Sequence, residues 1–151
     1  MEVQTGKVIL KNYTYIGSVS GFSGIALVTA YEFVDAQAGR KEYGIGLEIK
    51  ETGRSEREGR AYVDYDEIDA LLRGIDYIIK IERSPTLENF EAQYRTRGEF
   101  GVATFIRPNG ALQAEVFIGL FRKAGVTISL GKLADFRKLI ADAKTALDKI
   151  R

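Results

Sequence analysis

The chain has 151 residues, a net charge of +1, and a mixture of 45% apolar and 28% charged residues, which excludes a disordered or helical membrane protein and suits one domain. It contains no cysteine, which excludes disulfides, thiolate metal sites and cysteine nucleophiles. It also contains no histidine, so the usual general base, the serine–histidine–acid arrangement and the commonest zinc ligand are missing. We therefore expect a non-enzymatic protein that needs no metal or other cofactor.

Alternating apolar and polar residues predict four strands in the first half of the chain: Lys7–Ile16, Gly24–Val34, Glu42–Glu51 and Arg60–Tyr65. The glycine- and serine-rich stretch Gly17–Gly24 between the first two is expected to be a flexible connection. The charged stretch Thr52–Gly59 is expected to be a loop.

A helix is predicted to follow the fourth strand directly, from about Asp66 to Ile79, because apolar residues recur there at helical spacing. Asp64 or Asp66 is expected to cap it. Four carboxylates in Asp64–Asp69 also suggest a cation, but the glycine and glutamate of a calcium loop are missing, which favours capping. Arg83-Ser84-Pro85 is expected to end the first half, and Thr86–Asn89 is the predicted linker.

The second half repeats this order of elements. Its predicted strands are Asn89–Arg97, Glu99–Arg107, Leu112–Arg122 and Val126–Leu130, and its predicted helix runs from about Gly131 to Lys149. The sequence R-P-N-G at Arg107–Gly110 predicts a tight turn.

The strand-to-helix joins of the two halves correspond at a separation of 65 residues. When Val63 is aligned with Ile128, apolar helix positions coincide: Ile68 with Leu133, Leu71 with Phe136, and Ile75 with Ile140. We therefore predict an α+β fold of two ββββα repeats, about 1–83 and 87–151, in one domain spanning residues 1–151. Each antiparallel sheet is followed by one helix, and the helices are expected to pack on the sheets or to be exchanged between subunits. Exposed strand edges favour a homo-oligomer.

The first ten residues, M-E-V-Q-T-G-K-V-I-L, lack the basic region and apolar core of a signal peptide. No run approaches the roughly 18 apolar residues of a membrane span, so no membrane partner is expected. The compartment stays open.

Two ββββα units in one chain resemble the Whirly family, whose members bind single-stranded DNA. The stretch Lys123–Ile140 is also similar to the end of the positive-cofactor-four family of coactivators, in which Gly125, the I-S-L run at Ile128–Leu130 and the aromatic Phe136 have counterparts. The resemblance implies a module that binds single-stranded nucleic acid through a sheet face.

The second half offers the residue types for such binding, since aromatic rings stack on bases and basic side chains contact phosphates. Residues 101–151 carry nine Lys and Arg against four Asp and Glu. Arg95 and Arg97 are expected to share a strand face, as are Phe105 and Arg107 and also Phe117 and Phe121. The predicted site contains Tyr94, Arg95, Arg97, Phe105, Arg107, Phe117, Phe121, Arg122 and Lys123. The same aromatic residues also suit an ordinary core.

Two alternatives stay open. The near-neutral charge and the lack of a lysine-dense strand favour a protein–protein interaction or scaffold module with a protein partner. A tyrosine set on the first three strands favours a small-ligand cleft or an interface, although it also suits half-buried strands: Tyr13, Tyr15, Tyr31 and Tyr43.

Overall fold

The structure, a computed structural model, describes residues 6–53, 56–81 and 89–151. Within them, β1 (Ile9–Gly21), β2 (Gly24–Asp35), β3 (Lys41–Glu51) and β4 (Glu58–Asp64) form an antiparallel sheet in chain order, followed by α1 (Tyr65–Lys80). The second sheet has the same order, with β5 (Glu91–Arg95), β6 (Phe100–Ile106), β7 (Leu112–Ile118), β8 (Ala124–Ile128) and then α2 (Leu130–Asp148). The predicted α+β class with two ββββα units is confirmed. The predicted stop at Arg83–Pro85 and the linker up to residue 88 lie outside the described residues.

The eight residues aligned at a separation of 65 all lie in the core. The join itself also repeats, because Asp64 and Ser129 occupy the N-cap positions of α1 and α2. Ser129 Oγ accepts a hydrogen bond from the Lys132 N–H at 3.1 Å, whereas the Asp64 side chain makes no cap hydrogen bond. Asp64 therefore occupies the predicted N-cap position without making the side-chain hydrogen bond that a cap usually provides. The acids of its first turn, Asp66 and Glu67, pair with Arg97 instead.

The second helix packs mainly on the sheet of the other unit, and the first helix lies between the two sheets. Helix α2 packs mainly across β1 and β2 of the first sheet, and α1 contacts β5 and β6 in addition to its own sheet. Leu139 lies so close to β1 that a methyl group at Gly17 would be 2.8 Å from its Cδ2 atom. The two units therefore share one hydrophobic core, to which both sheets and both helices contribute.

The stretch Gly17–Gly21 is a strand rather than the predicted flexible connection. After a bulge between Tyr15 and Gly17, β1 continues to Gly21, and only Phe22 and Ser23 turn the chain. The glycines are needed there because β8 crosses this end of the hairpin: a methyl group at Gly21 would lie 2.5 Å from the Thr127 carbonyl oxygen. Phe22 bridges to Thr127, and its N–H donates to the Thr127 carbonyl at 2.8 Å.

The turn predicted at Arg107–Gly110 is confirmed. The Gly110 N–H donates to the Arg107 carbonyl at 2.8 Å, and Gly110 has a φ of +84°. In the described parts of the chain, neither helix is long and apolar enough to cross a membrane.

Candidate binding groove on the first sheet

The predicted second-half site is divided between several surfaces. On the outer face of the second sheet, Phe117 is fully buried. The guanidinium carbons of Arg95 and Arg122 lie 5.0 and 4.6 Å from the centroid of its ring. Its ring also lies against Gly101, where a methyl group would come within 2.2 Å of it. Phe117 therefore has no free face on which a base could stack.

Both arginines over Phe117 are held by other groups. Arg122 pairs with Glu91 and, at 3.0 Å, with Glu115. Arg95 donates to the Leu120 carbonyl at 3.1 Å. Burial raises the pKa of Glu115, and Arg122 opposes that rise. The outer side of the Phe117 ring is therefore covered by paired charged groups.

Strands β5 and β7 end earlier than predicted, which separates the expected pairs. Arg97 lies beyond β5 and pairs with Asp66 at 3.0 Å, so it does not share a strand face with Arg95. Phe121 lies beyond β7 in a tight loop, 92% exposed, so it does not share a strand with Phe117. That loop needs positive φ values at Gly119 and Arg122, which a strand cannot accommodate.

The other four residues of the predicted site are dispersed as well. Half-buried Phe105 lies on the outer face of β6, and Arg107 follows that strand and contacts Gln113. Tyr94 faces the core, where its ring packs against Gly74 of α1 and burial raises its pKa. Lys123 is exposed in the loop before β8.

The first sheet, by contrast, has a row of aromatic rings on the face away from the helices. Tyr13 of β1 is opposite Tyr31 of β2, and Phe33 is two residues further on the same face. The centroid distances are 5.8 Å from Tyr13 to Tyr31, 5.5 Å from Tyr31 to Phe33, and 5.6 Å from Phe33 to Tyr62 of β4. We call these four residues the aromatic row.

Two glycines of β3 make room for the aromatic row. A methyl group at Gly46 would lie 2.4 Å from Tyr31 Cε2, and one at Gly44 would lie 2.2 Å from the Tyr62 hydroxyl. The rings can therefore lie flat against the backbone of the central strand. A side chain at either position would lift them, since it would occupy the same space.

A groove of about 370 Å³ runs beside the row. Its lining includes three of the four rings, the backbone at Gly46 and Leu47, and a rim of Lys11, Glu48 and Arg60. Lys11 Nζ lies 5.8 and 5.9 Å from the ring centroids of Tyr13 and Tyr31, within the range of a cation–π contact. Glu48 lies 3.5 Å from Arg60 and 3.7 Å from Lys50.

The arrangement suits a planar guest. Flat rings supply stacking area at low entropy cost, and the two cations of the rim supply charge next to them. Within the described parts of the chain, no group of three or more acidic side chains could hold a metal ion. The one carboxylate in the lining of the groove, Glu48, is paired with Lys50 and Arg60.

Of the predicted tyrosine set, Tyr13 and Tyr31 belong to the aromatic row, and exposed Tyr15 lies near it on β1. Tyr43 packs against the core side, where burial raises its pKa. Phe33 and Tyr62 were missing from the predicted sets. Their spacing gives a signal, since Tyr31 and Phe33 alternate on one strand, and Gly44 and Gly46 alternate on the next.

Tyr62 supplies a test of how the row is packed. Its buried hydroxyl has no hydrogen-bond partner among the described protein groups, and burial raises its pKa, so it stays protonated. An unpaired buried hydroxyl is destabilising. We expect Tyr62→Phe to raise the free energy of unfolding by about 1 kcal/mol in urea titrations. A decrease of similar size in the free energy of unfolding would mean that the Tyr62 hydroxyl is hydrogen-bonded after all.

Comparison with models of known protein families gives no match for this chain. Comparison with curated proteins gives none either.

Proposed function

We propose that this chain is a non-enzymatic binding module that takes a short segment of single-stranded nucleic acid on the outer face of its first sheet. The aromatic row carries the proposal: four rings follow one another across three strands, and at least one of them, Tyr13, is 65% exposed. Base stacking on such rings contributes about 1–3 kcal/mol per base and tolerates any sequence.

The charges around the row predict weak to moderate affinity. Lys11, Lys50 and Arg60 are available to phosphates, but Glu48 lies near two of them and offsets part of their charge. Two or three phosphate contacts on a single strand give a slope of log affinity against log salt concentration of about −1.4 to −2.1, which is shallow for a nucleic-acid-binding protein. Stacking therefore has to supply most of the binding free energy.

The test is fluorescence anisotropy of a labelled, mixed-sequence single strand at about 50 and 200 mM salt. We expect dissociation constants in the micromolar range and a rise of about tenfold or more for Tyr31→Ala, because one stacked base is lost. Tyr77→Ala is the matched control, since this exposed tyrosine of α1 lies away from the groove.

One further variant decides which sheet binds. Phe121→Ala removes the most exposed aromatic ring of the predicted second-half site and should leave the affinity unchanged. A loss of affinity in Phe121→Ala but not in Tyr31→Ala would place binding on the second sheet. No binding at low salt would contradict the proposal and leave a scaffold role as the better explanation.

A second candidate is a small planar ligand in the same groove. The volume of about 370 Å³ favours it, because that is within the range of small-molecule sites. Glu48 also neutralises part of the positive charge around the groove, which favours a small ligand over a phosphate backbone. Binding of a single nucleoside or another aromatic compound that does not change with salt would separate this candidate from the first.

A further inference from the structure

In the part of the chain that the structure describes, the first half of β1 is an unprotected sheet edge. The Ala36 N–H donates to the Val8 carbonyl at 3.0 Å, so residues 8, 10, 12 and 14 direct their backbone groups towards β2. By alternation, the N–H and C=O groups of Ile9, Lys11, Tyr13 and Tyr15 point away from the sheet. Nothing in the described parts of the chain pairs with them.

Two other edges, those of β8 and β4, are covered by the chain itself. The outer edge of β8 is bridged by Phe22, and the Gly125 N–H donates to the Glu51 carboxylate at 3.2 Å. At β4, the turn after β5 comes so close that a methyl group at Gly98 would lie 2.5 Å from the Tyr62 carbonyl oxygen. Among the described residues, the start of β1 differs from these two edges because no other segment covers it.

The same segment carries an unusual share of exposed apolar surface. Of the nine large apolar side chains that are exposed in the described chain, four lie on residues 8–15, each 50–65% exposed: Val8, Leu10, Tyr13 and Tyr15. Val8 and Leu10 lie on one face of the strand, and Tyr13 and Tyr15 lie on the other. An approaching strand would therefore gain apolar contacts above and below the sheet as well as backbone hydrogen bonds.

We propose that the occupant is a second copy of this chain, whose β1 pairs antiparallel with the first about a two-fold axis at Tyr13. An antiparallel strand pair is self-complementary, which is what a closed dimer requires. Lys11 is the only charged residue of β1. With Tyr13 opposite Tyr13 of the second copy, Lys11 faces Tyr15 of that copy, so no like charges meet.

This pairing would join the two first sheets into one eight-stranded sheet with both aromatic rows on the same face. Tyr13 and Tyr15 of one copy would then extend the row of the other. The dimer itself does not rest on the proposed function, because the unpaired edge and its apolar side chains are sufficient for it.

Sedimentation velocity of the unliganded chain tests the proposal. We expect a concentration-dependent shift from 16.8 kDa to twice that mass between about 1 and 100 μM. Leu10→Lys, on the face away from the groove, should raise the dimer dissociation constant at least tenfold, since an edge lysine opposes strand pairing. Tyr77→Lys is the control for loss of an exposed apolar side chain and should leave the dimer intact.

The register can be read by oxidation, because the chain has no cysteine of its own. Cα atoms of a hydrogen-bonded antiparallel pair lie about 5.5 Å apart, within reach of a disulfide. Tyr13→Cys should therefore form a covalent dimer, and Lys11→Cys should not. A monomer at the highest concentration would overturn the proposal, as would a dimer indifferent to Leu10→Lys without the Tyr13→Cys crosslink. Pairing with an added extended peptide alone would identify the edge as a peptide site instead.

Discussion

Replacing Phe136 by alanine is expected to lower the free energy of unfolding by about 3–5 kcal/mol, a large part of what a domain of this size possesses. Phe136 is fully buried on α2, and its ring lies 5.8 Å from that of Phe100 on β6. The cavity would open where α2 meets the second sheet. Because α2 also covers the first sheet, we expect both sheets to lose stability together.

The measurement is urea unfolding followed by circular dichroism, with Phe121→Ala as the matched control. Phe121 is the same residue type at 92% exposure, so its replacement should change the free energy of unfolding by less than about 0.5 kcal/mol. Equal effects of the two variants would contradict the position of α2 in the core. A two-step transition in Phe136→Ala would contradict a core shared by both units.

Replacing Gly21 by alanine is expected to cost about 2–3 kcal/mol, although only one methyl group is added. That methyl group would lie 2.5 Å from the Thr127 carbonyl oxygen and from methyl groups of Val126 and Ile128. A backbone oxygen cannot turn aside as a flexible side chain can. Relief therefore requires β8 to move away from the first sheet.

The matched control is Gly131→Ala in the first turn of α2. A methyl group there meets nothing closer than the Ser129 Oγ atom, at 3.9 Å, and alanine favours helix. We expect Gly131→Ala to be neutral or to stabilise by up to about 1 kcal/mol, measured in the same urea titrations. A neutral Gly21→Ala would mean that the hairpin and β8 are not in contact.

The fold was predictable because its signals are local. Apolar spacing of 3.6 and 2 residues identified the helices and strands, and the correspondence of Ile68 with Leu133 and of Ile75 with Ile140 identified the repeat. The glycines at positions 17 and 21 led to the wrong prediction of a flexible connection, since glycine is typical of turns. Here they are strand residues whose missing side chains admit Leu139 and β8, and that need arises only in the folded chain.

The groove was only partly predictable. Sequence placed Tyr13 and Tyr31 on strands, but stacking depends on the register that sets Tyr13 opposite Tyr31 and Tyr62 opposite Gly46. Register is a tertiary property, fixed by the whole sheet. For the same reason, strand parity could not reveal that Phe117 lies beneath Arg95 and Arg122, because one of the two covering residues comes from a loop.

The packing of α2 on the first sheet has a consequence for synthesis of the protein. The apolar face of the first sheet is complete once β4 has been made, but its main cover, α2, is synthesised only after β5 to β8. At ordinary rates of translation this interval is on the order of several seconds. During it, residues such as Val28 and Ile45 lack their final neighbours. The first sheet should therefore complete its core only after the second half has emerged from the ribosome, and the chain should depend on chaperones more than a protein whose halves fold in turn.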